Sequence, residues 1–342
     1  ILKFNFLELI CFFDEYKELQ LLLDSIPDWS LFPNEIIIVN TSNFDKNLII
    51  KAYENKFNDI NIQLKILEHE GAYPGCARNH GIKSASFEYI AFLDAKTLPD
   101  KQWLENGVRQ LNENDVGVSF GQTQYQATSI LEKNIRSSTY GNKPLRTLPG
   151  SIIKKDVFNH IGTFVEHVRA GEDGDWFSRV KLHKEAYIEN EKLLSYSGLK
   201  NIQIITLFKK WYRNYLSSTQ LPHLKAHKDI YFYFMGFLLL LLAFNWNNLS
   251  YDPNISGWNT KSIFYIPNVT KTIFAILMVI YVLTRAIILP MKKGVRITEI
   301  FPLNFVVILS ISIILDSIKI CAFLFGRFRN ILIQLREAKF FS

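Results

Sequence analysis

The spacing of apolar positions changes along this chain, and the change divides it. Up to about Lys200, short apolar runs alternate with stretches of helical spacing, whereas from Ile230 onward long apolar runs dominate. Leu7 to Phe13 is an apolar run, Glu15 to Ile26 shows helical spacing, and Glu35 to Val39 (EIIIV) is a β-branched run ending in the polar NTSN. That spacing predicts strand, helix, strand, turn. A helical Phe44 to Lys56, a strand near Ile60 to Leu67, a helix over Cys76 to Ser84 and the strand Tyr89 to Leu93 continue the alternation. Elements of these lengths imply a parallel sheet covered by helices, whose ligands gather beyond the carboxyl ends of the strands. Here those ends are Phe13-Asp14, Asn40-Thr41-Ser42, Glu68 to Gly71, and Asp94.

Ile230 to Trp246 and Ile273 to Pro290 are each close to the roughly 20 residues that cross a bilayer core. Both are expected to be transmembrane helices, with Arg285 snorkelling toward the basic end of the second. Lys209, Lys210 and Arg213 precede the first and Lys292, Lys293 and Arg296 follow the second, while the loop Asn247 to Thr270 carries one lysine, Lys261. The positive-inside rule then puts that loop outside and the N-terminal domain in the cytoplasm. The run Phe301 to Phe325 has basic residues on both sides and carries Asp316 and Lys319, which pair if the run is helical. A third span and a re-entrant hairpin or in-plane helix both remain open for it. Ile202 to Tyr215 (IQIITLFKKWYRNY) mixes bulky apolar and basic residues as an interfacial amphipathic helix does, and is expected to lie against lipid headgroups. The organisation expected is residues 1–200 as the soluble domain, 201–228 as an interfacial linker and 229–342 as a membrane region with two or three helices.

A net charge of +7 could suggest nucleic acid, but the basic residues flank apolar runs, as in KKWYR, MKKGVR and GRFR, so anionic lipid is the expected partner and nucleic acid is not. Three scattered cysteines suggest neither a zinc cage nor a disulfide framework, which fits a reducing compartment. The chain begins at Ile1, which leaves room for an upstream piece. His160, His167 and His183 have no metal-ligand spacing and are read as surface or packing residues.

Candidate chemistry sits at the strand ends. Gly75 to Gly81 opens a helix whose free backbone N–H groups can face an anion, and Arg78 adds a forked donor suited to phosphate. Asp94 puts a carboxylate at the end of an apolar strand. The acidic cluster Gly171-Glu172-Asp173-Gly174-Asp175 opens another helix, where the helix dipole offers a purely structural explanation.

Three blocks in order, EIIIVNTSNFD, GAYPGCARNHGIKSASFEYIAFLDAKTLPDKQWL and GSIIKKDVFNHIGTFVEHVRAGEDGDWFSRV, resemble the family-2 glycosyltransferases of GT-A fold, over nearly all of residues 5 to 200. The resemblance implies an α/β, Rossmann-like, mostly parallel sheet flanked by helices, followed here by an all-α membrane region. It implies donor-site roles for Phe13 beside the base, Asn40 where the family has a base-binding carboxylate, Arg78, Asn79 and Asp94. It also makes Asp173 the catalytic base, with Glu172 beside it, Trp176 as an apolar platform for a sugar and Arg179 as the partner of one of the acids. The family's Asp-X-Asp reads Asp94-Ala95-Lys96 here, and KLLSYSGL lacks the histidine often found after the acceptor-site helix. Coordination of a divalent cation, Mg or Mn, is therefore in question. Lys96 can take over part of the cation's role, it can be solvated while Asp94 alone holds metal, or activity can be lost. The Gln-X-X-Arg-Trp motif of processive synthases is missing from TLFKKWYRNY, so single additions are expected.

The expectation is thus an inverting transferase of the inner, cytoplasmic membrane, multi-pass, moving one sugar from a nucleotide-sugar donor, a UDP-sugar in the first instance. Its acceptor would be a lipid-linked or membrane-proximal saccharide of a cell-surface polysaccharide. Transfer to a polyprenyl phosphate is one alternative, and a non-catalytic sugar-nucleotide-binding assembly protein another.

Overall fold

The computed structural model describes residues 6–12, 16–42, 44–221, 223, 231, 234–238 and 268–340. Phe13 and most of the apolar run 230–246 lie outside the described residues.

The alternating pattern folds as it predicts: β1 (Phe6–Phe12), α1 (Tyr16–Ser25), β2 (Glu35–Asn40), α2 (Lys46–Asn58), β3 (Gln63–Glu68), α3 (Pro74–Ser84) and β4 (Tyr89–Asp94). These strands run parallel in the order β3-β2-β1-β4. Every residue of β2 is buried. Ile36 and Ile38 join one core, with Leu19, Leu22 and Phe57 of α1 and α2. Ile37 and Val39 join the other, with Ile82 of α3 and with Phe120 and Trp176 further along. Burial on both faces is why this strand reads as an unbroken apolar run rather than an alternating one. Glu35 enters the interior at its start as the ion-pair partner of Lys65, with Ser86 Oγ donating to it at 3.4 Å.

Beyond β4 the sheet departs from the parallel expectation. After β5 (Thr97–Pro99), α4 (Trp103–Glu113), β6 (Val118–Tyr125), α5 (Ile130–Ser138), β7 (Leu145–Lys154), α6 (Val157–Ile161), α7 (Glu172–Leu182) and β8 (Tyr187–Tyr196), the strand order continues β4-β7-β6-β8-β5. β7 is antiparallel to both neighbours, β6 and β8 are parallel, and β5 is antiparallel to β8. The sheet is mixed in its second half because β6 and β7 are joined through a short helical excursion rather than a full crossover.

The helices that follow are attached to this domain. α8 (Ile204–Ser218) is the helix expected over Ile202 to Tyr215, at nearly the same bounds. α9 (Asn268–Leu283) runs through a π-helical turn, Thr284–Ile288, into α10 (Leu289–Lys292), and after α11 (Ile297–Ile300) comes α12, one uninterrupted helix over Asn304–Phe340. A re-entrant hairpin is thereby excluded for the third apolar run. The stretches Ala275–Lys292 and Asn304–Leu335 are long and apolar enough to cross a membrane.

α12 packs on α5 and α8 rather than standing apart. Ile135, Leu207, Ile311 and Leu315 of the three helices form one buried cluster with Leu199 of the turn before α8, and Ser138 Oγ donates to Ile308 O at 3.2 Å. At Gly326 the helices approach so closely that a Cβ would meet Thr219 Oγ1 at 2.5 Å. The expected Asp316–Lys319 pair forms at 3.3 Å. Arg285 does not snorkel: it is buried in the π-helical turn and its Nε and Nη2 donate to Asp316 at 2.7 and 3.0 Å. Tyr281 Oη donates to the same carboxylate at 2.9 Å. A charge this deeply buried needs a full set of partners, and Asp316 obtains them from α9, the π-helical turn and Lys319. The ammonium of Lys319 lies in turn 4.7 Å from the Trp211 ring and 5.5 Å from the Tyr215 ring, both on α8.

Candidate active site

A cavity of about 500 Å³ opens at the carboxyl edge of the parallel strands, within the usual range for a small-molecule site. The sheet contributes Thr41 after β2 and Asp94, Ala95 and Lys96 after β4; α3 contributes Pro74, Ala77 and Arg78 from its first turns. The other wall is Arg169, Tyr196 and the α8 residues Thr206, Lys209, Lys210 and Arg213. Arg78, Lys96, Arg169, Lys209, Lys210 and Arg213 make six cations against one lining carboxylate, Asp94. Such a concave, one-signed lining focuses positive potential on a bound anion.

Local sequence sets each position. Tyr73 caps α3 with Pro74 in its first turn and no side chain bonds the helix start, whose residues Pro74 and Ala77 line the cavity. Gly75 is required because a Cβ there would lie 2.1 Å from Val165 O, so the 164–169 loop can close over the helix start. Asp94 ends β4 in a tight turn in which Thr97 Oγ1 donates to Asp94 O at 2.6 Å. Gly171 starts α7 from φ +92°, a backbone conformation suited to glycine.

Arg78 joins three elements. Its Nη1 donates to Glu172 Oε1 at 2.5 Å and its Nη2 reaches Asp94 Oδ1 at 3.5 Å, while the guanidinium carbon stands 5.8 Å from the Phe164 ring. Burial pushes the Glu172 carboxyl above the ordinary carboxylate range, with Arg78 pulling the other way and Asp173 adding to the rise. Asp173, one residue on, is half-buried and accepts from Gly174 N at 2.7 Å. The phenol of Tyr125 is pushed up by burial first, then by Tyr140 and Tyr196, and both Asp173 and Asp94 contribute. Arg78 thus brings Glu172 at the start of α7 and Asp94 at the end of β4 together, while Asp173 itself does not line the cavity.

Several residues expected at the site do other work. Trp176 is fully buried among Phe120, Phe158 and Phe164, its Nε1 donating to Gly162 O at 2.9 Å, so it is core and offers no platform to a sugar. Asn79 clamps the 164–166 loop, donating to Phe164 O and Glu166 Oε1 at 2.8 Å and accepting from Phe164 N at 2.9 Å, and does not line the cavity. Asn40 is buried in its own turn, donating to Phe44 O at 2.8 Å and accepting from Ser42 N at 3.1 Å; it borders a separate hollow with Ser42 and Glu68. Arg179 does pair with an acid of the cluster, but it is Asp175, at 2.9 Å, and its other nitrogens hold Ile161 O and Thr163 O at 2.7 Å.

The α8 cations were read from sequence as lipid-facing. Thr206, Lys209, Lys210 and Arg213 recur at three and four residues and so share one helix face, and that periodicity was the signal available. Lys210 is packed between Tyr140 and Tyr196, 6.0 and 5.7 Å from their rings. Burial works against its charge, yet the two tyrosines outweigh it and hold the pKa above the usual lysine value.

The residues present do not make a conventional divalent-cation site. Asp94 is held by Arg78, the position two residues on is an ammonium, and among the described residues no three His, Cys, Asp or Glu side chains converge as metal ligands.

Residues 9–170 match the family model described as glycosyl transferase family 2. Glycosyltransferase AglE of Haloferax volcanii is 24% identical over 181 residues, 49% of this chain and 58% of that protein. The hyaluronan synthase of Pasteurella multocida is 29% identical over 102 residues, 30% of this chain and 10% of that protein. The chain thus spans less than two thirds of these curated relatives. Among solved structures, the mannosyltransferase PcManGT from Pyrobaculum calidifontis in complex with GDP-Man and Mn2+ aligns with TM-score 0.50 at 13% identity, covering 92% of this chain and 87% of that one. At that identity the likeness concerns the fold, which is of the GT-A type.

Proposed function

We propose that this chain, which carries a glycosyltransferase domain of family 2, moves one sugar from a nucleotide-sugar donor to a lipid-linked or membrane-proximal saccharide, with inversion. The observation that carries the reading is the cation-lined cavity at the carboxyl edge of the parallel strands, with Asp173 next in the chain to Glu172, which Arg78 of the lining holds. The donor's diphosphate takes the cavity. Asp173 accepts the proton of the acceptor hydroxyl as that oxygen attacks the anomeric carbon from the face opposite the diphosphate. Arg78 keeps Glu172 and Asp94 in place. In this reading the charge that develops on the leaving diphosphate is offset by Lys96 and the facing cations of α8 rather than by Mg or Mn. Donor chemistry agrees with the mannosyltransferase PcManGT, a protein of similar fold whose solved structure holds GDP-Man.

Membrane attachment through α9 and α12 and a cytoplasmic catalytic face are part of the same proposal. The charge argument for that face now rests on Lys292, Lys293 and Arg296, because Lys209, Lys210 and Arg213 line the cavity. A part in cell-surface polysaccharide synthesis would suit a protein built this way.

The test is product mass spectrometry on the full chain in detergent, with pooled nucleotide sugars and lipid-linked acceptors, with and without chelator, on wild type and Lys96→Ala. Transfer that survives chelation and drops at least tenfold in Lys96→Ala is expected. Strict dependence on Mg or Mn would contradict the lysine's role, and donor binding without turnover on any acceptor would favour a non-catalytic assembly protein.

A further inference from the structure

A second cavity, about 470 Å³, adjoins the first where α8 ends against α12. Its lining includes Tyr73, His167, Arg169, Arg213, Gln220 and Arg329 and contains no carboxylate. Arg169 and Arg213 line both cavities, so the two meet at this pair. The guanidinium of Arg213 is driven toward lower basicity by burial first and by Arg169 second, with Glu172 opposing.

Arg329 is what makes this hollow unusual. It lies on a helix apolar enough to cross a membrane, where an arginine is costly and calls for a function. Its Nε is buried without a hydrogen-bond partner, and no ion pair to Arg329 or Arg213 exists among the described residues. The backbone carbonyls at the end of α8 do not account for it, since Thr219 O is taken by Asn330 Nδ2 at 3.0 Å. The position is fixed all the same: Gly326 lets α12 touch α8 one turn earlier, and Asn330 ties it one residue later. Fixed cations of one sign, with apolar helix surface alongside, match a phosphate group carried on a hydrocarbon chain.

We infer that this second cavity binds the phosphate or diphosphate of a lipid-linked acceptor and so presents the acceptor's reacting end to the donor across the Arg169–Arg213 pair. The inference rests on the transferase reading for what the lipid is, but the site itself can be tested apart from turnover.

Binding of farnesyl diphosphate, farnesol and inorganic pyrophosphate to the full chain in detergent is measured by calorimetry, with UDP titrated in parallel to report the donor cavity. Arg329→Gln is expected to weaken farnesyl diphosphate about tenfold, the loss of one charge-assisted contact, and to leave UDP affinity within twofold. Gln220→Glu, which adds a carboxylate to the lining, should weaken it by a similar factor and guards against a folding defect in the first variant. Farnesol is expected to bind at least tenfold more weakly than its diphosphate. Equal affinity of wild type and both variants for farnesyl diphosphate overturns the site, and pyrophosphate binding as tightly as farnesyl diphosphate overturns its assignment to a lipid. Failure of UDP to bind, with the farnesyl diphosphate effects intact, would sink the donor reading and leave this site standing.

Discussion

The two walls of the cation-lined cavity are held by different physics. The sheet wall, Arg78, Asp94 and Lys96, hangs on strands and a helix start buried between two apolar cores, and its side chains are set by turns of a few residues. The helix wall, Lys209, Lys210 and Arg213, belongs to α8, whose place depends on contacts with α12 far along the chain and on a buried cluster of charges. A wall fixed by local turns is rigid in its own right, whereas a wall fixed by a remote helix can be loosened without touching the sheet. Changes to the sheet wall should therefore act on chemistry and stability together, and changes around α12 should act on donor affinity through position.

The largest effect is expected at the acid beside the sheet wall. Asp173→Asn should lower kcat by roughly 10²–10⁴, the usual worth of a general base, with UDP affinity within twofold; single-turnover transfer and calorimetry check it. Arg78→Met comes next, because it leaves Glu172 buried without its cation. It should cost about 3–5 kcal/mol of stability, measured by denaturant unfolding, and abolish detectable transfer.

On the helix wall, Asp316→Asn removes the carboxylate shared by Arg285 and Lys319. UDP affinity should fall several-fold although no substituted atom lines the cavity, and proteolysis at α8 should speed up. If UDP affinity is unchanged while α8 becomes labile, the two walls are independent and the comparison fails. A smaller effect concerns acid. Glu132, which accepts from Thr128 N at 2.8 Å and Asn201 N at 3.0 Å, ties α5 to the loop before α8. Those backbone bonds, first Thr128 and then Asn201, hold its pKa down to about 2. A carboxyl depressed on folding contributes stability above its unfolded value and loses it as pH falls toward the folded value. Wild type should thus lose thermal stability between about pH 4.3 and pH 2, and Glu132→Gln should show a flatter profile over that window.

The sheet wall was legible in the sequence because its signals are local: β-branched runs, turn residues and motif blocks within a few residues of one another. Arg78, Asp94 and Lys96 fell where the pattern put them. Trp176 misled because a tryptophan beside acids looks functional until the faces of β6 and α6 that bury it are known. Asn40 and Asn79 lie outside the cavity lining, their amides bonded within a turn and to the 164–166 loop. The helix wall was misread for a different reason. A face of lysine and arginine on an amphipathic helix before apolar segments fits lipid headgroups as well as it fits a diphosphate, and only the packing of α12 on the other side of α8 decides which way the face turns. The mixed half of the sheet was likewise invisible, because β7 lies between its predecessor β6 and the more distant β4, a pairing that no local pattern announces.

The central claim is that both walls hold one diphosphate without a metal, and a double-mutant cycle on UDP affinity tests it. Lys96→Ala, Lys209→Ala and the double variant are compared with wild type by calorimetry in the presence of a chelator. Binding by wild type in chelator, a loss of about tenfold for each single variant and a non-additive double variant are predicted. No binding until Mg or Mn is supplied, together with a Lys209→Ala variant indistinguishable from wild type, would contradict the account.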